Sequence, residues 1–129
     1  MPRTFETEIE VRFSDFDLYG HVNSVLYFGY CEAARISILH EVLKEMSDND
    51  LYFVVARAGC EYLCPILFGE KVVVSTHASR MGRTSFDLRY RLGDGREKNY
   101  AVANTTMVCF DNVGKRAVAV PEIVKQILY

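Results

Sequence analysis

Two aspartates and a histidine stand close together near the start of the chain, in the stretch FSDFDLYGHVNSVLYF from Phe13 to Phe28. Asp15 and Asp17 are separated by one residue, and Gly20, His21, Val22 and Asn23 lead from them into an apolar pattern of helical period. Carboxylates act as nucleophiles or general bases, and imidazole as an acid or base near neutral pH. The first turn of a helix adds another tool, because its backbone N–H groups lack partners and the aligned peptide dipoles place partial positive charge there. Such amides can hold a carbonyl oxygen while it becomes an oxyanion. A carboxylate brought to the same point suits acyl-group chemistry, in which a carbonyl is polarised and then attacked directly or through an activated water. Gly20 lets the backbone turn tightly between the two.

Each of these residue types also has a plainer use. Acids ahead of a helix commonly serve as turn and capping groups, and a histidine there is more often a hydrogen-bonded structural residue than a base. The three histidines are widely separated, which argues against a metal site. Neither GxSxG nor a Cys/His pairing with a local signature occurs, so no serine or cysteine nucleophile is indicated.

The elements that must position the acids follow from periodicity. From Phe5 to Phe13, Ile9, Val11 and Phe13 alternate with Glu8, Glu10 and Arg12, as in a half-buried strand that delivers the aspartates. From about Asn23 to Met46, Tyr27, Tyr30, Cys31, Ala34, Ile38, Val42 and Met46 recur at helical spacing, with Asn23 as the expected N-cap. Strands are expected at Leu51 to Ala58 continuing through Glu61 to Leu63, at Glu70 to Ser79, at Phe86 to Leu92 and at Glu97 to Phe110. A turn at Gly93-Asp94-Gly95 and a short terminal helix from Pro121 complete the order. One strand, one long helix and then several antiparallel strands make an α+β fold. The helix, ~35 Å long at 1.5 Å per residue, also carries Val25, Leu26, Phe28, Ile36 and Leu39 off its main stripe. It must therefore be covered on several sides, and a strongly curved sheet wrapped around it does so economically.

The 129 residues suit a single domain spanning 1–129, of ordinary globular composition with 50% hydrophobic and 25% charged residues. A formal net charge of −2 supplies no global positive field for nucleic acid or anionic membrane. No apolar run is long enough to span a membrane, and the first residues lack a signal core. The four cysteines form no CxxC or zinc pattern and read as small buried hydrophobes of a reducing compartment. A cytoplasmic enzyme or binding protein is the expectation.

The motif D-x-D-x-x-G-H-V-N-x-x-Y, carried by Asp15, Asp17, Gly20, His21, Val22, Asn23 and Tyr27 and followed by Glu32 and Arg35 on the helix, closely resembles the hotdog-fold acyl-CoA thioesterases of the 4-hydroxybenzoyl-CoA thioesterase type. Tyr62, Pro65, Gly69-Glu70, the Gly82-to-Phe86 stretch and Phe110-Asp111 extend the likeness nearly to the C-terminus. The resemblance implies a curved antiparallel sheet around one central helix, and a homodimer with active sites at its interface, with a dimer of dimers left open. It implies that Asp17 is the catalytic acid, as nucleophile or general base, and that the backbone amide at about Ser24 polarises the thioester carbonyl. His21 and Asn23 would shape the loop, Tyr27 would line the substrate site, and Arg83, Thr84 and Ser85 would meet the phosphates of coenzyme A, which enters only as part of the substrate. No separate cofactor is expected.

Three departures qualify the match. Leu18-Tyr19 is bulkier than usual in the family, Ser24 stands where asparagine is frequent, and position 82 is glycine where a related member has a denser basic cluster. Glu32 is the competing carboxylate on the helix, though its spacing suits a pair with Arg35. Three activities stay in view: an acyl-CoA thioesterase, an acyl-carrier-protein thioesterase, and a non-catalytic protein that binds acyl thioesters.

Overall fold

Strict alternation of apolar and polar residues becomes antiparallel sheet in the computed structural model, which describes residues 1–129. The strands are β1 (Thr4–Ile9), β2 (Leu51–Tyr62), β3 (Val72–Met81), β4 (Ser85–Gly93), β5 (Asn99–Asp111) and a two-residue β6 (Arg116–Ala117). Helix α1 (Leu26–Asp48) follows β1, and α2 (Glu122–Leu128) closes the chain. The sheet runs β1-β3-β4-β5-β2, with β6 added on β5. One face of it is apolar, because Val72, Val74 and Ala78 of β3 and Phe86, Leu88, Tyr90 and Leu92 of β4 all point to the same side and are buried. Asp87, Arg89 and Arg91 take the opposite face, as a period of two requires. Against the apolar face lies α1, with Tyr27, Tyr30, Cys31, Ala34, Leu39, Val42 and Met46 in the core.

Several boundaries differ from those expected. β1 stops at Ile9 rather than Phe13, because Phe13–Asp15 form a single 3-10 turn held by the Asp15 carboxylate. β3 starts at Val72 rather than Glu70, since Glu70 is tied into the preceding turn by the Leu67 N–H at 2.9 Å and the Lys98 ammonium at 2.6 Å. β2 is one continuous strand with an irregularity between Val55 and Arg57, and Leu63 lies just past its end. The second apolar face of α1 is only partly covered: Leu39 joins the core, whereas Val25, Phe28 and Ile36 remain exposed. A single sheet layer can bury only the side of a helix that rests on it. β2 is an edge strand, and its exposed Tyr52, Val55 and Tyr62 flank an unpaired row of backbone groups, a surface that folded proteins usually cover.

Candidate active site at the mouth of α1

Asp15 and Asp17 meet opposite environments. The Asp15 side chain is 2% exposed and fully engaged. Its oxygens accept the Arg12 N–H at 3.1 Å, the Arg12 Nε at 3.2 Å and the Tyr30 hydroxyl at 2.8 Å, while Arg12 Nη2 sits 3.1 Å away. Burial alone would raise the pKa of this carboxyl, but the Arg12 and Tyr30 donors and the Arg12 charge outweigh it and hold the value below the ordinary one. Tyr30 responds in reverse, its hydroxyl pKa raised by burial and by the anion it bonds. Asp15 is thus a structural acid that fastens the loop to α1.

Asp17 lies on the exposed side of the same loop. Its Oδ1 accepts the backbone N–H of Tyr19 at 2.8 Å and that of His21 at 3.2 Å, while Oδ2 accepts nothing from the protein. The backbone closes the same loop, with the Asp17 N–H donating to the His21 carbonyl and the Gly20 N–H to the Asp17 carbonyl. Gly20 has φ +76°, which a residue with a side chain adopts only under strain. A bridge from Phe16 to Val22 closes the loop on itself, and one from His21 to Leu67 anchors it to the segment after β2. His21 joins the site through its backbone and as part of the cleft wall, and its ring tilts toward that of Tyr19.

The helix mouth leaves one amide open. Helix α1 proper begins at Leu26, later than Asn23. The N-cap is therefore Val25 and not Asn23, whose Oδ1 instead accepts the Val25 N–H at 3.2 Å in the turn ahead of the helix. The Leu26 N–H goes to the Asn23 carbonyl and the Tyr27 N–H to the Ser24 carbonyl, so Ser24 and Val25 form a tight turn that precedes the α-helix. No group in the protein accepts the Ser24 N–H. The Ser24 carbonyl accepts the Tyr62 hydroxyl at 2.8 Å.

These groups border an open cleft of about 400 Å³, within the usual size of small-molecule sites. Asp17, His21, Asn23, Ser24 and Tyr27 line one side, and Tyr62, Leu63, Cys64 and Pro65 the other. Tyr27 contributes a wall although it is almost wholly buried. Of the expected site residues, Asp17, His21, Asn23, Ser24 and Tyr27 therefore come together. A separate recess of about 50 Å³ near Glu6, Arg91 and Lys98 has room for little beyond water. Glu32 is absent from the cleft lining and lies 3.9 Å from Arg35, as its spacing suggested. No group of three or more His, Cys, Asp or Glu side chains is placed to hold a metal ion.

Arg83, Thr84 and Ser85 are not in this cleft. Arg83 and Thr84 lie in the β3–β4 turn and Ser85 opens β4, where Ser85 pairs with Val108 and Val108 with Val54. The cleft adjoins the other end of β2, at Tyr62. Along the strand from Val54 to Tyr62 the separation is roughly 26 Å, at about 3.3 Å per residue. Arg80 is occupied at that turn, bonding Asp87 at 2.9 and 3.1 Å and Ser85 Oγ at 2.8 Å. Arg83 is exposed and its guanidinium has no partner. Gly82 leaves room beside them, since a Cβ there would come within 2.6 Å of Arg80 Nη1, which would have to shift, and 3.1 Å of the Ser85 carbonyl oxygen. Tyr62 is the site residue whose role sequence reading missed. Its bond to Ser24 spans 38 positions, a separation at which no local pattern gives a signal.

Comparison with known proteins agrees with this fold. A family model described as the thioesterase-like superfamily matches residues 11–128. The uncharacterized protein YsmA of Bacillus subtilis is 37% identical over 95 residues, which cover 73% of this chain and 63% of that protein. The 1,4-dihydroxy-2-naphthoyl-CoA hydrolase of Nostoc punctiforme is 28% identical over 120 residues, 90% of this chain and 80% of its own. A thioesterase of Thermus thermophilus, solved in complex with coenzyme A and zinc, superposes with a TM-score of 0.80 at 30% identity, covering 95% of this chain and 90% of the other.

Proposed function

The chain belongs to the thioesterase-like superfamily, and on that premise we propose that it hydrolyses acyl-CoA thioesters to a free acid and coenzyme A. The observation that carries the reading is the half-engaged carboxylate of Asp17. One of its oxygens is fixed by two backbone N–H groups and the other is free, in a cleft that also holds the unpaired Ser24 amide. The Ser24 N–H polarises the thioester carbonyl and stabilises the negative charge that grows on its oxygen. Asp17 Oδ2 either attacks the carbonyl carbon, giving a mixed anhydride that water then cleaves, or takes a proton from the water that attacks. In both routes the C–S bond breaks, the thiolate of coenzyme A leaves and is protonated, and one water is consumed for each acid released. His21 and Asn23 hold the loop and the helix mouth in register, and Tyr27 backs the cleft.

The working unit is a homodimer of the cytoplasm. Its exposed β2 edge would pair with β2 of a second copy in antiparallel fashion, each covering the other's unpaired backbone groups. Such a two-fold arrangement brings the end of the partner's sheet that carries its β3–β4 turn beside this chain's cleft. The separation of Arg83, Thr84 and Ser85 from Asp17 within one chain thereby becomes proximity across the interface, where a free guanidinium suits the coenzyme's phosphates.

Replacing Asp17 with Asn tests the reading. Release of thiol from a panel of short, long and aromatic acyl-CoAs should fall by about 10²–10⁴-fold, with the fold intact by circular dichroism. Wild-type turnover in that variant would overturn the assignment. Comparing kcat/KM for one acyl group on coenzyme A and on acyl carrier protein checks the substrate, and a strong carrier preference would reject coenzyme A as the natural thiol.

A further inference from the structure

Ser24 sits between two peptide planes, and both are restrained. The plane that carries its N–H is held through the Asn23 carbonyl, which accepts the Leu26 N–H at 3.0 Å. The plane that carries its carbonyl accepts the Tyr27 N–H at a long 3.4 Å and the Tyr62 hydroxyl at 2.8 Å. The second of these is the shorter, and it reaches the helix mouth from the sheet. Tyr62 is the last residue of β2, and its ring meets that of Tyr27 edge to face at 5.0 Å between centroids. The ring is braced on one side and borders the cleft on the other. Burial and the nearby Cys60 raise the pKa of its hydroxyl, so it stays a donor through neutral pH.

We propose that Tyr62 is a positioning residue for the reaction, which through its hydroxyl on the Ser24 carbonyl aims the Ser24 N–H at the thioester oxygen. The inference rests on the reading of Ser24 as the polarising amide. An N–H donor counts toward catalysis only where it meets the oxyanion with good geometry. Without the Tyr62 bond the plane on the carbonyl side of Ser24 is held only by the long Tyr27 N–H bond, which leaves the turn, and the donor at its other end, less firmly set. Tyr62 also links the two walls of the cleft, since β2 and the mouth of α1 approach each other there. Because it acts on the amide's aim rather than on substrate, its loss should be felt in the transition state more than in binding.

Tyr62→Phe removes the hydroxyl and keeps the ring. Complete loss of an oxyanion donor costs about 10²–10³ in kcat, so a donor that is present but badly aimed should cost roughly tenfold in kcat, with KM within about threefold of wild type. Tyr129→Phe, past α2 and away from both the cleft and the β2 edge, is the control that keeps wild-type kcat. A second readout is the infrared band of a ¹³C-labelled thioester carbonyl bound to the hydrolysis-blocked Asp17→Asn protein. The band should lie at lower frequency than in free acyl-CoA and should move back toward the free value when Tyr62→Phe is added. A kcat for Tyr62→Phe within twofold of wild type would overturn the proposal, as would a carbonyl band that Tyr62→Phe leaves unmoved. If Asp17→Asn abolishes turnover while Tyr62→Phe does nothing, only this inference falls. If Asp17→Asn turns over normally, the reading beneath it falls instead.

Discussion

Asp15 and Asp17 share one short loop, yet the Arg12–Asp15–Tyr30 node and the Asp17–Ser24–Tyr62 mouth are built on opposite principles. In the node a buried carboxylate has both oxygens occupied, one of its donors being a cation, and its proton affinity is lowered. In the mouth an exposed carboxylate keeps one oxygen occupied and one open, in a cleft lined also by Ser24, whose amide has been left unpaired. A satisfied group contributes to stability and has little left to offer a substrate. A group satisfied by half keeps its orientation and retains its reactivity. Comparing the two regions therefore separates what holds the loop from what acts in it.

The largest test of that contrast sets Asp17→Asn beside Asp15→Asn. The first should lower kcat by about 10²–10⁴-fold with little change in Tm. The second should lower Tm, since it removes a buried charge that three donors were placed to meet. Equal loss of activity from both, with equal loss of stability, would erase the distinction. Next in size is Tyr30→Phe, which deletes the hydroxyl on Asp15 and should cost about 1.5–3 kcal/mol in urea unfolding, the range for hydrogen bonds to charged groups, with kcat near wild type.

Acid titration sharpens the contrast further. The folded pKa of Asp15 lies below its unfolded value, so its contribution to stability is complete above the ordinary carboxyl range and is lost as pH falls through the folded value. The stability gap between wild type and Asp15→Asn should be full at neutral pH and should narrow below about pH 4. A gap that stays constant to low pH would mean that the Asp15 charge is not what the node stabilises.

The smallest expected effect repeats the contrast at the far turn, where Arg80 is bonded to Asp87 and Ser85 and Arg83 is free. Arg83→Ala should raise KM for acyl-CoA by about three- to fivefold, the scale of an exposed ionic contact, and leave Tm unchanged. An acyl-pantetheine substrate without the phosphates should show no such change.

The elements were legible wherever one face of a strand is buried and the other solvated. β3 and β4 kept their alternation because α1 covers one side of them and nothing covers the other. The long helix was legible from its core stripe, though it starts at Leu26 and not at Asn23. An asparagine that caps a turn and one that caps a helix use the same side-chain oxygen, and only the backbone tells them apart. Asp17, Ser24 and their neighbours could be placed together from sequence because they lie on one short continuous segment. The role of Tyr62 could not, since it depends on where the end of β2 falls relative to α1. The exposure of Val25, Phe28 and Ile36 was hidden for a related reason. An apolar residue shows that it needs cover, but not whether its own chain supplies it.

The tether on Asp17 has one more consequence. A free carboxylate turns about its terminal torsion and exchanges its oxygens, which are chemically identical. Here exchange requires breaking the bonds from Tyr19 and His21 together, so at any moment one oxygen is held and the other is left for chemistry. If Asp17 attacks directly and water then cleaves the anhydride at the Asp17 carboxyl carbon, a single turnover in ¹⁸O-water leaves a heavy atom in the enzyme, and it begins at the untethered position. If Asp17 serves as a base, the enzyme stays light and the isotope is found only in the released acid.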